Sequence, residues 1–222
     1  MGYNNIKYSA QERWDTVKLN DRGLLIVISG PSGVGKGTVR KALFQMTNHD
    51  LIYSVSMTTR QPRPGEVDGI DYYFVTKEEF LKRISENRFL EWAEFVGNYY
   101  GTPLDKVEEQ LDNGKEVVLE IEVEGALQVR QKAPDAVFIF IVPPGKKALY
   151  ERLIKRGTDS PEMIKKRMEK ADREFVLAHK YDYIVVNDDV NNAADRIMAI
   201  VRAEHAKTER TIHAYMKMLK ED

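Results

Sequence analysis

Four short apolar runs recur along the chain without strict alternation of apolar and polar positions. Such runs are typical of strands that are buried on both faces of a parallel sheet. They are Leu24–Ser29, Glu116–Ile121, Ala136–Val142 and Tyr183–Val186. The helical spacing of apolar residues predicts helices over Val34–Met46, Pro103–Asn113, Glu124–Lys132, Lys146–Lys155, Pro161–Lys180 and Asn191 to about Leu219. Strands that alternate with helices predict an α/β fold, a parallel sheet core flanked by helices.

The pattern changes between Tyr53 and Thr102. Short alternating pieces such as Tyr72–Val75 lie among turn glycines, and one helix fits Lys77–Asn87. Alternation with period two is the pattern of strands with one exposed face. This part of the chain is therefore predicted to be a small mixed β insert beside the parallel core.

Composition narrows the class of protein. The 222 residues have a formal net charge of −1, so no overall basic field would attract nucleic acid. Cysteine is absent, which excludes disulfides and thiolate metal sites. The polar start resembles no signal peptide and no apolar run is long enough to span a membrane, so a cytoplasmic location without a membrane partner is expected. Whether the chain is a monomer or a homo-oligomer is left open.

The first candidate site is a glycine-rich loop between an apolar strand and a helix. Its residues are Gly30, Pro31, Ser32, Gly33, Val34, Gly35, Lys36, Gly37 and Thr38. Glycines let backbone N–H groups converge on phosphate oxygens, and the lysine adds a cation beside a helix N-terminus. A chance lysine in a glycine-rich turn is the alternative, which the flanking strand and helix disfavour. The loop predicts a nucleoside triphosphate site, although Gly37 stands where a hydroxyl usually reaches Mg²⁺.

Arg60 and Arg63 form a second candidate. Pro62 and Pro64 disfavour a helix and stiffen the segment, which can then hold two guanidinium groups towards one phosphate. A solvated basic loop is the alternative, and the nearby glycine-rich loop favours a second phosphate site.

Glu120 and Glu122 form a third candidate at the end of a predicted strand. Residues two apart on a strand project to the same face, and ligands of parallel sheets bind beyond the carboxyl ends of strands. Two carboxylates there can hold Mg²⁺ through water or accept hydrogen bonds from a ligand. The alternative is a solvated strand end.

Two further groups complete the candidates. Arg152, Arg156 and Arg167 flank the break at Gly157-Thr158, and mobile arginines neutralise charge in phosphoryl transfer. The alternative is a charged, exposed helix. Glu91 precedes a stretch with two tyrosines and can read hydrogen-bond donors on a base; ordinary strand packing is the alternative for those tyrosines.

Five stretches together resemble the guanylate kinase family of P-loop nucleoside monophosphate kinases. They are Ser54–Glu66, Asp68–Tyr72, Gly97–Thr102, Glu120–Gly125 and Arg156–Thr158. The resemblance implies a P-loop core, a GMP-binding insert, a helical lid and the reaction of ATP with GMP to give ADP and GDP, with Mg²⁺ accompanying ATP; dGMP is expected as a further acceptor. The corresponding parts are an N-terminal extension (1–22), the core (23–54, 103–144 and 169–222), the insert (55–102) and the lid (145–168).

The resemblance also implies roles for the candidates. The catalytic charges would be Lys36, Arg60, Arg152, Arg156 and Arg167. ATP would contact the loop 30–38 and Asn187. GMP would contact Ser56, Arg60, Arg63, Glu66, Tyr72, Glu91, Tyr100, Thr102 and Glu122. Thr38 and Glu120 are the candidate metal contacts, either directly or through a water molecule.

Two other functions fit the same fold. Scaffold modules that resemble guanylate kinases recognise phosphorylated peptides, but they typically lack a working phosphate loop, which is intact here. A kinase of another nucleoside monophosphate is the second alternative, against which Ser56, Glu91 and Glu122 favour guanine. A carboxylate such as Glu91 can accept from the N1–H and N2–H₂ donors of guanine, whereas adenine would leave it unpaired.

Overall fold

A computed structural model describes residues 22–47, 49–157 and 159–221. The predicted N-terminal extension, apart from Arg22, and Thr158 of the expected lid lie outside the described residues. The core is a parallel sheet of five strands in the order β2-β7-β1-β8-β9. Its strands are β1 (Leu25–Ser29), β2 (Leu51–Tyr53), β7 (Glu116–Glu120), β8 (Val137–Val142) and β9 (Tyr183–Val186).

The four strands that the sequence predicts are all present, and β2 is an additional one. This edge strand has only three residues and pairs with β7 alone. Its burial falls from Leu51 to an exposed Tyr53, so it lacks the continuous apolar run that marks the other strands. The short length explains why the sequence pattern does not reveal it.

The helices also follow the predicted order, with some changes at their ends. They are α1 (Lys36–Gln45), α2 (Lys77–Ser85), α3 (Leu104–Asp112), α4 (Val123–Lys132), α5 (Lys146–Lys155), α6 (Pro161–Phe175), α7 (Val190–His205) and α8 (Thr208–Glu221). The predicted helix Pro161–Lys180 ends at Phe175 and continues as a 3-10 turn, Val176–Lys180.

The prediction of a single C-terminal helix is wrong, because the structure has two helices there, α7 and α8. The break lies at Ala206 and Lys207, where backbone N–H groups bond to carbonyls three residues earlier. Buried Glu204 accepts hydrogen bonds from Arg210 of α8 and from the hydroxyl of Tyr183 on β9. These bonds hold the first turn of α8 against the core, which a continuous helix could not do.

The hydrophobic core has two layers, one on each face of the sheet. Ile26 and Ile28 pack with α1, α5 and α7, whereas Leu25 and Val27 pack with α3 and α4. Both faces of β1 are therefore apolar, which is the reason for the continuous run in the sequence. The carboxyl end of β1, at Ser29, leads directly into the glycine-rich loop.

The insert forms a second, mixed sheet in the order β4-β3-β6-β5. Its strands are β3 (Met57–Thr58), β4 (Tyr73–Phe74), β5 (Phe89–Phe95) and β6 (Asn98–Pro103). It has its own apolar cluster, in which the Phe80 ring of α2 stacks on Phe89 with ring centroids 4.3 Å apart. Among the described residues, no helix has both the length and the apolar character that crossing a membrane requires.

Candidate active site

The loop after β1 has a backbone that only glycine adopts without strain. Gly30, Gly33 and Gly35 have φ values of +147°, +91° and +92°. A Cβ atom at Gly30 would lie 2.3 Å from the Ile141 carbonyl oxygen, so a side chain is also excluded by space. Helix α1 begins immediately afterwards at Lys36, and its N-terminus lies behind the loop. The backbone therefore has the shape and polarity that bind phosphate oxygens.

Two side chains from distant parts of the chain support this loop at the carbonyl of Val34. Asn187 Nδ2 donates to that oxygen at 2.8 Å, and Arg152 Nη1 donates to it at 3.1 Å. Arg152 Nη2 also donates to the backbone oxygen of Asn187 at 2.8 Å. Asn187 is only 2% exposed and lies beneath the loop. A contact between Asn187 and adenine stays a prediction.

Lys36 folds back over the loop. Its Nζ donates to the Gly30 carbonyl at 2.6 Å and lies 3.3 Å from Glu122 Oε1. Burial would raise the pKa of Glu122, but the charges of Lys36 and Lys170 hold it below its ordinary value. Glu122 is therefore a carboxylate, placed next to the cation of the phosphate-binding loop.

Glu120 and Glu122 do not share one strand face as predicted, because β7 ends at Glu120 and Glu122 is the N-cap residue of α4. Both carboxylates nevertheless lie against α1. Glu120 Oε2 accepts from Arg40 Nε at 2.7 Å, while Glu122 contacts Lys36, one helical turn earlier. They meet the same helix because Lys36 and Arg40 are four residues apart.

The candidate metal contacts lie at the beginning of α1. Thr38 is exposed there, and a Cβ atom at Gly37 would lie 3.4 Å from Glu120 Oε1. The carboxylate of Glu120 therefore occupies the space beside the position that lacks a hydroxyl. Within the described parts of the chain, no three acidic, histidine or cysteine side chains form a group that could hold a metal ion.

The arginine segment of the insert is arranged by Glu66. Arg60 Nη2 contacts both carboxylate oxygens of Glu66, at 2.8 and 2.9 Å, and the Arg63 backbone N–H donates to Oε2 at 2.7 Å. The hydrogen bond from Arg60 is the main cause of a lowered pKa of Glu66. Arg60 also lies 5.4 Å from the ring centroid of Tyr72, whose ring meets Tyr100 edge-on at 6.1 Å. The side chains predicted to hold one phosphate are thus grouped around Arg60 and Glu66. Arg63 joins this group through its backbone N–H, and its side chain is exposed.

Glu91 and Thr102 face each other across the β5–β6 hairpin. Thr102 Oγ1 donates to Glu91 Oε1 at 2.6 Å, and both residues are buried. Burial raises the pKa of Glu91. A Cβ atom at Gly125 of α4 would lie 3.0 Å from Glu91 Oε2, so the carboxylate also contacts the core. Ser56 is half-buried just before β3.

The three arginines of the expected lid lie in different surroundings. Arg152 supports the loop, and Arg167 Nη1 donates to the Ser32 hydroxyl at 2.6 Å. Arg167 also pairs with Asp159 at 3.1 Å. Arg156 is exposed at the C-terminal end of α5. In this state two of the arginines contact the loop and the third lies in solvent.

Three residues of the site were not predicted from the sequence. Arg40 pairs with Glu120, Lys170 with Glu122, and Asp159 with Arg167. The spacing of Arg40 from Lys36 is a signal that could have identified it, because residues four apart share a helix face. Nothing in the local sequence links Lys170 to Glu122, 48 positions away.

Comparisons with known proteins agree on one family. A family model described as guanylate kinase matches residues 22–204. A guanylate kinase of Onion yellows phytoplasma is 66% identical over 207 residues, which are 93% of this chain and 98% of that protein. One from Streptococcus agalactiae is 59% identical over 203 residues, covering 91% and 97%. A crystal structure of guanylate kinase from Anaplasma phagocytophilum is similar with a TM-score of 0.66 and 38% identity, covering 86% of this chain and 90% of that one.

Proposed function

The chain belongs to the guanylate kinase family and transfers the γ-phosphoryl group of ATP to GMP, and we propose which of its residues do so. The observation that carries the proposal is the 3.3 Å contact between Lys36 Nζ and Glu122 Oε1. It places the cation of the glycine-rich loop beside a carboxylate that we assign to the acceptor nucleotide. The donor and acceptor nucleotides would therefore meet at this contact.

The loop 30–38 is the proposed site of the ATP phosphates. Its glycines present backbone N–H groups, and the N-terminus of α1 favours negative charge. Lys36 would leave the Gly30 carbonyl and Glu122 to reach the phosphates that it neutralises. Asn187 and Arg152 support the loop from below, and Asn187 is also assigned to the adenine side.

The insert is the proposed site of GMP. Arg60, Arg63, Tyr72 and Tyr100 would hold its phosphate, and Glu66 would orient Arg60. The base would contact Ser56, Glu91, Thr102 and Glu122. Thr102 occupies Oε1 of Glu91 from one side, which fixes the carboxylate so that it can accept from the N1–H and N2–H₂ groups of guanine. Adenine has no such pair of donors and would leave a buried carboxylate unsatisfied, at a large cost in affinity.

The reaction needs no strong general base. The second pKa of a phosphate monoester is near ~6, so the attacking oxygen of GMP is already largely anionic at neutral pH. Catalysis is then the alignment of two nucleotides and the neutralisation of charge by Lys36 and the arginines. Arg167, which donates to the Ser32 hydroxyl of the loop, would neutralise charge on the transferred group.

The residues present fit a magnesium ion that arrives with ATP. Mg²⁺ keeps several waters and takes few protein ligands, which agrees with the single carboxylate of Glu120 beside Gly37. Glu120, through water, and Thr38 would hold it. When bound, the ion would neutralise phosphate charge and orient the transferred group.

We also propose three parts: the core (23–54, 103–144 and 169–222), the insert (55–102) and the lid (145–168). Within the lid, movement would belong to the segment after α5, because Leu149 and Leu153 of α5 are buried in the core. Water competes with GMP for the phosphoryl group, so closure of the insert and lid would protect ATP until GMP is bound. The exposed Arg156 is the arginine that such a closure would bring in.

A coupled assay of ADP release with GMP, dGMP, AMP and UMP tests the acceptor assignment. GMP and dGMP, which carry the same base and phosphate, are expected to react, whereas AMP and UMP should react poorly. Lys36→Ala should lower turnover by roughly 10²-fold or more without changing the circular dichroism spectrum. Preferred turnover of AMP would contradict the proposed base contacts.

A further inference from the structure

Four side chains of alternating charge form a row from the phosphate-binding loop to helix α6. Lys36 Nζ lies 3.3 Å from Glu122 Oε1, and Lys170 Nζ lies 3.3 Å from Glu122 Oε2. Lys170 Nζ also lies 3.3 Å from Glu174 Oε1, one turn later on α6. Each oxygen of Glu122 therefore has its own cation, and the two cations come from different parts of the molecule.

The end of this row is anchored by a buried carboxylate. The Glu174 side chain is 7% exposed, and burial raises its pKa. Among the described residues, Glu174 Oε2 has no hydrogen-bond partner, and Lys170 forms the ion pair with Oε1. Lys36 also contributes favourable charge from farther away. Burial works against the charged form of Lys170, but Glu174 and Glu122 together raise its pKa. Lys170 is thus a fixed cation, although nearly half of its side chain is exposed.

The two cations of Glu122 have different fates during the reaction. Lys36 is needed at the phosphates of ATP and must leave Glu122 when ATP binds. Lys170 has no such second role in the site, because its other partner is Glu174. After ATP binding, Lys170 is the cation that remains on Glu122.

We propose that Lys170 is a positioning residue for guanine recognition, which holds the Glu122 carboxylate in place once Lys36 has turned to ATP. It acts through Glu122 and does not itself touch a substrate. The inference rests on the proposed contact between Glu122 and guanine. It also gives α6 a part in reading the base, in addition to carrying Arg167.

Lys170→Met tests the role by GMP titration calorimetry with and without a non-hydrolysable ATP analogue. With the analogue bound, GMP affinity should fall roughly three- to fivefold, the upper part of the range for partly exposed ion pairs. Without it, Lys36 still holds Glu122 and the loss should be smaller. In steady state, KM for GMP should rise while kcat and KM for ATP change little. Lys170→Arg should restore GMP affinity, and Lys165→Met removes an exposed charge from the same helix as a matched control.

The Lys170→Met substitution in the Glu122→Gln variant distinguishes failure of the proposed role of Lys170 from failure of the proposed base contact. In Glu122→Gln, the effect of Lys170→Met on GMP affinity should disappear, because the group that Lys170 holds is no longer charged. An equal loss in both backgrounds would overturn the inference. If Glu122→Gln weakens GMP binding but Lys170→Met does not, the role of Lys170 is refuted while the base contact stands. If Glu122→Gln leaves GMP affinity unchanged, the base contact itself is wrong.

Discussion

The hydroxyl of Thr102 donates a 2.6 Å hydrogen bond to a carboxylate oxygen of Glu91, and both groups are buried. This bond fixes the orientation of the Glu91 carboxylate and so the direction from which it can accept further hydrogen bonds. A buried carboxylate with one neutral partner is unfavourable for folding, and its pKa is raised accordingly. The cost is understandable if the carboxylate is kept for a ligand with complementary donors.

Glu91→Gln should weaken GMP binding by about 10- to 100-fold, the range for loss of hydrogen bonds to a charged group. The amide can still accept at its oxygen, but its NH₂ group faces the donors of guanine. Affinity for ATP should be unaffected. Calorimetric titration of each nucleotide measures both effects, and an unchanged GMP affinity would refute the base-reading role.

The same variant should be more stable than the parent at neutral pH. Folding raises the pKa of the Glu91 carboxyl group, so the folded chain is most stable when this group is protonated. Stability is therefore lost as the pH rises from the pKa of Glu91 in the unfolded chain through its pKa in the folded chain. Glutamine removes this loss, so the unfolding midpoint should rise; each kcal/mol regained corresponds to roughly 2–4 °C in a chain of this size. Below an ordinary carboxyl pKa of about 4 the gain should vanish. A gain that is independent of pH would contradict the explanation.

GMP affinity should fall as the pH is lowered towards the raised pKa of Glu91, since the protonated group cannot accept from both donors. The GMP phosphate also titrates, near about pH 6. Glu91→Gln supplies the correction, because the pH dependence that remains in this variant belongs to the phosphate. Identical pH profiles for the two proteins would exclude Glu91 as the titrating group.

Arg60→Lys should lower kcat/KM for GMP by at least about tenfold while KM for ATP is unchanged. Lysine keeps the charge, but it cannot contact Glu66 and a phosphate with the planar fork of a guanidinium group. Arg88→Lys, at an exposed position of the same insert, is the control and should behave like the parent. Equal effects of the two substitutions would show that the loss is not specific to Arg60.

Gly35→Ala should reduce both the stability of the chain and its affinity for ATP. Its φ is +92°, and the new Cβ atom would lie 2.7 Å from Asn187 Nδ2. Gly65→Ala is a close control, because φ is +88° there and nothing lies within 4 Å. We expect about 1–2 kcal/mol of destabilisation at Gly65 and clearly more at Gly35. Equal losses in denaturant titrations would mean that the contact with Asn187 is unimportant.

The first turns of α6, residues 161–167, should exchange amide hydrogens more slowly with both substrates bound than with an ATP analogue alone. Arg167 already contacts Ser32, whereas Arg156 is exposed and has to move to reach the nucleotides. Hydrogen exchange followed by mass spectrometry measures this difference. Exchange that does not respond to the substrate pair would contradict a closing lid.

The sequence predicted most of the fold because the buried strands are continuous apolar runs and the loop glycines are required by the backbone. The sequence-based prediction failed where contacts between distant parts of the chain determine the structure. The C-terminal helix is interrupted because Glu204 binds both Tyr183 and Arg210, and β2 is too short to form a recognisable run. Within the site, the pairing of Glu122 with Lys170 depends on how α4 and α6 pack, which no local pattern encodes.

The support of Val34 by Asn187 has a consequence for how the protein is made. The carbonyl that Asn187 holds lies 153 positions earlier in the chain, and Arg152 reaches it from 118 positions away. Contacts between such distant positions form late, since loop closure over long segments is slow. During synthesis the glycine-rich loop leaves the ribosome early, but it acquires its final shape only after β9 has been made. A nascent chain that ends before residue 187 should therefore not retain nucleotide, and completion of the sheet, not of the loop, marks the point at which the chain becomes an enzyme.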